Sequence, residues 1–99
     1  SLKEASLSAI PEKSAITKIF PNPLSFSTRI EYDIASVSDI TLKICDMNGR
    51  VIEVLEEGSR EPGRYSVDLD ASGFGQGVYI CVLSAGKTRS SRKIIIIKQ

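Results

Sequence analysis

Four consecutive isoleucines, Ile94 to Ile97, follow the basic polar run Lys87-Thr-Arg-Ser-Ser-Arg-Lys93 near the end of this sequence. Their β-branched side chains are restricted at χ1 and favour extended backbone, so the run is predicted to be a strand. Side chains alternate between the two faces of a strand, and an unbroken apolar run therefore asks for cover on both faces. Arg92, Lys93 and Lys98 flank the run as charged gatekeepers against edge-to-edge aggregation. A terminal strand protected in this way suggests that the terminus itself matters.

Upstream, the period is again that of strands. Thr28-Arg-Ile-Glu-Tyr-Asp-Ile34 alternates without a fault, which places Ile30, Tyr32 and Ile34 on one face and Arg29, Glu31 and Asp33 on the other. Ile16 to Phe20 is a short first strand, closed by Pro21-Asn22-Pro23, where two residues without amide donors predict a non-pairing path. Ile40, Leu42 and Ile44 repeat the alternation up to Asp46-Met-Asn-Gly-Arg50, a hairpin signal in which Asn48-Gly49 can take positive φ. Val51 to Leu55 is the returning strand, and Ile52 with Leu55 breaks strict alternation in the manner of a bulge. Glu56 to Gly63 reads as a loop. Tyr65, Val67 and Leu69 then alternate, the Gly-rich stretch Asp70 to Gly77 turns, and Val78 to Leu83 reads as a central strand covered on both sides. About seven short strands separated by turns, with no helical period, predict an all-β, immunoglobulin-like antiparallel β-sandwich.

Residues 1–15 carry Ser, Ala, Lys and Glu around isolated apolar residues and read as a linker, with the domain running over residues 16–99. At 99 residues there is room for one modest core. A hydrophobic fraction of 41% and a charged fraction of 25% belong to a globular domain, without a transmembrane segment. Since the sequence starts at Ser1 without an initiator Met, we expect a piece of a longer polypeptide. Net charge is +1, yet residues 71–99 hold five basic residues and no acid. That stretch lacks the density and the aromatics of a nucleic-acid surface, and no nucleic-acid partner is expected.

Catalytic chemistry is poorly supplied. Without histidine, the Ser/His/Asp and Cys/His arrangements and the common zinc sites cannot be assembled, and no enzyme activity, metal or cofactor is expected. The paired acids Glu31/Asp33 and Asp68/Asp70 read as solvated strand faces, and Arg50 as a strand-end ion-pair partner. Glycines 73, 75 and 77 are not followed by a helix or a Gly-Lys-Ser/Thr signature, so they are turn residues rather than a phosphate loop. Cys45 and Cys81 lie in strand-like segments and are expected to be buried thiols rather than a disulfide.

Four local features in this order carry a family resemblance: Phe20-Pro-Asn-Pro23 with Ser27-Thr28-Arg-Ile30; Leu42-Lys-Ile44 with Asp46 and Gly49-Arg50; Gly63-Arg-Tyr65 with Leu69-Asp70 and Ser72-Gly73; and Gly77-Val-Tyr79 with Leu83, Gly86 and Lys93 to Lys98. In these the chain resembles the type A C-terminal sorting domain of the type IX (Por) secretion system of Bacteroidota, from about Thr17 to Gln99. Leu24-Ser25-Phe26 replaces the family's commoner Phe-Asn-Pro.

The resemblance implies a non-catalytic signal that directs an attached cargo protein across the outer membrane, so that it transits the periplasm of a Gram-negative bacterium and ends secreted or at the cell surface. The implied partners are the outer-membrane translocon, a cysteine-protease sortase and the upstream cargo domain. Lys93, Ile94, Ile95, Ile96, Ile97 and Lys98 are the expected recognition residues; Pro21, Asn22, Pro23, Asp46, Gly49, Arg50, Gly77 and Tyr79 are the expected structural ones. The alternatives are an immunoglobulin-like module of the flagellar hook-capping type and an accessory binding module of a secreted hydrolase. A hook-capping module would be embedded in a longer protein, whereas a sorting domain must end its polypeptide.

Overall fold

Seven strands account for nearly all the backbone pairing in the computed structural model, which describes residues 10–98: β1 (Ala15–Phe20), β2 (Ser27–Ile34), β3 (Ser38–Cys45), β4 (Val51–Arg60), β5 (Gly63–Asp70), β6 (Gly77–Ala85) and β7 (Thr88–Ile96). They form two antiparallel sheets, one ordered β1-β2-β5 and the other β4-β3-β6-β7. This is an immunoglobulin-like sandwich in which β4 pairs with β3, rather than joining the first sheet as in the constant-type arrangement. β1 lies over β7, and the two run in the same direction along one side of the sandwich.

The core follows from the alternation. Ile30, Tyr32 and Ile34 of β2 face Ile40, Leu42 and Ile44 of β3 across the sandwich, each no more than 2% exposed. Each such side chain contributes on the order of 1.5–3 kcal/mol when buried. Tyr32 brings a polar atom into this layer, and its hydroxyl donates to Glu56 Oε1 of β4 at 3.1 Å. Burial, followed by the Glu56 carboxylate, raises the phenol pKa to about 12, so Tyr32 holds its proton and its hydrogen bond throughout the physiological range.

β4 differs from expectation in length and in what it buries. It continues past Leu55 to Arg60, because Glu56, Glu57 and Gly58 pair with Leu42, Thr41 and Ile40. Register shifts fall where Ile52 and Leu55 are passed over, so the broken alternation does reflect bulges. Leu55 packs against the core, whereas Ile52 is exposed. At the β3–β4 turn only Gly49 takes positive φ, at 88°, and Asn48 does not. The Gly49 amide donates to the Asp46 carbonyl, which gives a type I turn closed by a glycine bulge.

The expected linker lies largely outside the described residues. Its last part packs on the sandwich: Pro11 is buried, and Ser14 Oγ accepts from the Ala35 amide at 2.9 Å. Strand β1 begins one residue earlier than expected, at Ala15.

Both cysteines are free and buried. Cys81 sits opposite Ile44 and points inward, while Cys45, opposite Ile80, belongs to the other face of the same sheet. Burial, with a smaller contribution from Cys45, pushes the Cys81 thiol up to about 12 from an ordinary 9.0. The native thiol therefore stays protonated, and unreactive, through neutral and mildly alkaline pH. Alkylation at about pH 8 should leave Cys81 unlabelled in the folded domain and label both cysteines after denaturation without reductant. A single label, or none, in the denatured unreduced protein would contradict the free-thiol assignment.

Candidate functional site

β7 is an edge strand, and every second residue along it turns its amide and its carbonyl away from β6. Over the isoleucine run, those groups are taken up by the loop that follows β1. Asn22 Nδ2 donates to the Lys93 carbonyl at 2.9 Å, and Asn22 Oδ1 accepts from the Ile95 amide at 3.0 Å. Leu24 continues the pattern: its amide donates to the Ile95 carbonyl at 2.9 Å, and its carbonyl accepts from the Ile97 amide at 2.9 Å. A carboxamide offers one acceptor and a donor in nearly the same plane, so the Asn22 side chain stands in for a peptide group of a neighbouring strand. Residues 22 and 24 thus form a short parallel extension of the four-stranded sheet, with Leu24 opposite Ile96.

The composition of the loop explains why it serves this purpose. Pro21 and Pro23 carry no amide donors, so they end the β1–β2 ladder without leaving donors unpaired. Thr28, a buried polar residue, ties the loop down by donating to the Pro21 carbonyl at 2.6 Å. The Leu24 side chain enters the core at 3% exposure. The Pro-Asn-Pro segment, expected not to pair, therefore does pair, with a strand distant in sequence. Nearer the start of β7, the Ile16 amide donates to Ser90 Oγ at 3.1 Å, and the Arg92 guanidinium reaches the Thr17 carbonyl at 3.4 Å.

The expected recognition residues divide by face. Ile94 and Ile96 are buried in the core, so their side chains hold the strand and are not on display. Lys93 and Ile97 are exposed and Ile95 is half-buried, all three on the outer face. The expectation of cover on both sides of the run thus holds for one side only. Lys98 is also unlike Lys93. Its amide donates to Gln76 Oε1 at 3.0 Å, its Nζ donates to the Ala71 carbonyl at 2.9 Å, and the ammonium lies 5.8 Å from the centre of the Phe26 ring. It pins the chain end to the β5–β6 loop.

The structural motif residues sit at turns around the same end of the sandwich. Asp46 Oδ1 accepts from the amides of Asn48 and Arg50, each at 2.9 Å, and Arg50 Nε lies 3.4 Å from Oδ2. The Arg50 amide is the main reason that the Asp46 carboxyl titrates below its ordinary range. Arg50 is thus a turn partner. Gly77, at φ 155°, opens β6 so that Tyr79 can fold back, its hydroxyl donating to the Gly75 carbonyl at 2.7 Å and its ring meeting Phe74 edge-on. Tyr65, two residues after Gly63, donates in the same way to the Glu61 carbonyl.

One acid of each sequence pair makes an ion pair, with Arg29 Nε 3.4 Å from Asp68 and Arg64 Nε 3.8 Å from Asp33, and Asp70 Oδ1 accepts from the Ser72 amide at 2.9 Å. Among the described residues, no three His, Cys, Asp or Glu side chains gather as a metal site would need, and no helix is long and apolar enough to cross a membrane.

Residues 18–98 match a family model described as the secretion system C-terminal sorting domain. Among solved structures, the chain is similar to dimeric latent PorU from Porphyromonas gingivalis, with a TM-score of 0.56 and 18% identity. That likeness covers 85% of this chain and 9% of the PorU chain, and it bears on the fold. No curated protein matches.

Asn22→Ala removes both side-chain hydrogen bonds to β7 and leaves the Leu24 pairing. At about 1 kcal/mol for each bond, the loss should be roughly 1–2 kcal/mol. For a domain of this size that lowers the melting temperature by about 4–8 °C per kcal/mol, and the C-terminal residues should be trimmed faster by carboxypeptidase. An unchanged melt together with unchanged trimming would show that Asn22 does not hold the terminal strand.

Proposed function

This chain belongs to the secretion-system C-terminal sorting domain family, and we propose that it is the address by which an attached cargo protein crosses the outer membrane through the type IX secretion system. The cargo would pass through the periplasm and finish secreted or at the cell surface. The domain acts by being recognised rather than by catalysis, and its partners are the outer-membrane translocon and a cysteine-protease sortase that separates domain from cargo.

One observation carries this reading beyond the family: the terminal strand is latched into the fold by Asn22 and Leu24, with Lys93 and Ile97 left exposed. A flexible tail would offer a partner many conformations, and ordering it would weaken binding; a latched strand is already in one conformation. The chain enters the sandwich beside the β2–β3 connection, where Ser14 meets Ala35, and β7 ends at the opposite pole beside the Pro-Asn-Pro loop. Cargo attached ahead of β1 would therefore stand at the far end of the domain from Lys93 and Ile97, leaving the displayed strand accessible.

The test is a fusion of a Sec signal, a fluorescent reporter and this domain, expressed in a bacterium with a working type IX system and in a derivative without the translocon. The reporter should reach the surface or medium in the first strain and stay in the periplasm in the second. Periplasmic retention in both, or release in both, would overturn the proposal.

A further inference from the structure

Antiparallel sheets that turn one face to water usually make that face polar. The three-stranded sheet does so, with Arg29, Glu31, Asp33, Arg64 and Asp68 on its outer side. The four-stranded sheet does not. One rung of its outer face reads Val51, Cys45, Ile80, Lys93 across β4, β3, β6 and β7. The next reads Val54, Lys43, Val82, Ser91. Cys45 and Val82 are buried yet stand apart from the core cluster between the sheets, so they are the centre of a second apolar patch. Around them Val51, Val54, Val78 and Ile97 are 38–48% exposed.

We infer that this outer face, centred on Val82 and Cys45 with Lys43 and Lys93 set into it, docks a protein surface that is apolar at its middle and carries carboxylates positioned for the two lysines. The charge pattern selects that occupant. The two rungs hold two lysines and no acid, and Arg89 lies on the rung beyond Ser91, with Glu57 as the acid at the far side. Packing the face on its own copy would set Lys43 and Lys93 against like charges, which is unfavourable. The outer face of another copy's three-stranded sheet is a poor match, because two of its acids, Asp68 and Asp33, are already paired with Arg29 and Arg64, those arginines would meet the lysines as like charges, and it lacks an apolar centre. A lipid surface is a poor match as well, since the patch presents valines and isoleucines lying close to the sheet and no aromatic side chains of the kind that insert between headgroups. An apolar centre with a few charges is the make-up of a protein interface. Lys93 and Ile97 belong both to this face and to the latched strand, so the inference rests on the sorting function and names the surface through which it is exercised.

The reporter fusion tests it. Lys43→Glu with Lys93→Glu should reduce export at least tenfold, while Lys43→Arg with Lys93→Arg exports as the parent does. Lys18→Glu with Arg29→Glu makes the same change in net charge on the other side of the sandwich and should also export normally. Val54→Ser with Ile97→Ser, at exposed positions, probes the apolar part independently and should reduce export in the same direction. Thermal melts of each purified domain confirm folding. Failure of the parent fusion to be exported strikes the sorting function itself. If the parent is exported and the glutamate and serine variants match it, the docking face is wrong. Equal loss in the Lys18/Arg29 variant would also overturn it, since net charge alone would then be responsible. Sedimentation should show a monomer at micromolar concentration; a dimer abolished by the Lys43/Lys93 reversal would assign the face to a second copy and overturn the occupant proposed.

Discussion

The Lys93 carbonyl, the Ile95 amide and carbonyl and the Ile97 amide point away from β6 and would be unpaired on an open sheet edge, and their partners come from residues more than seventy positions earlier. Much of the domain's organisation serves that closure. β1 must pack over β7 to bring the loop within reach, the prolines must end the β1–β2 ladder, and Thr28 must hold the Pro21 carbonyl. Contacts of such sequence separation form late, because the chain entropy of closing long loops is lost before the contacts are gained. The end of β7 is therefore complete only when both sheets are in place.

The latch also separates two roles that share one run of residues. Ile94 and Ile96 fill the core, and Lys93, Ile95 and Ile97 line the outer face. Inward residues fix where the strand lies, and outward residues set what the outer face presents. Lys98 belongs with the first group, because its bonds to Gln76 and Ala71 fasten the chain end. Charge reversal there would disturb the fold as well as any interaction, whereas Lys93 makes its bond to Asn22 through its carbonyl and leaves its side chain unattached to the latch.

Local pattern carried most of the fold. The alternation in Thr28–Ile34 and Ile40–Ile44 placed the six central side chains correctly, since burial on one face of a strand leaves a period of two wherever no bulge intervenes. β4 was harder to read because its two bulges disrupt that period, and Glu56 and Gly58 look like loop residues. Tyr32 explains Glu56, whose carboxylate accepts a buried hydroxyl, and pairing with Ile40 accommodates Gly58. The latch was legible only in part. Pro-Asn-Pro announced the end of a ladder, but the partner of the Asn22 side chain is a relation between distant segments that no local window contains. The one available hint was an amide side chain between two residues lacking amide donors. The apolar outer face is legible in the two-sided runs of Val78–Leu83 and Ile94–Ile97, whose unbroken apolar pattern predicts cover on both sides, although Val78 and Ile97 are exposed.

Amide hydrogen exchange at Ile95 and Ile97, measured by NMR on the isolated domain, tests the central claim most directly. Both amides point to the open side of an edge strand, where an unlatched backbone would exchange at rates close to those of an unfolded chain. If the Pro-Asn-Pro loop closes that edge, Ile95 and Ile97 should be protected to the same degree as the amides that join β7 to β6. Rapid exchange at these two positions, with the β6–β7 ladder still protected, would show that the terminal strand is open and would contradict the account.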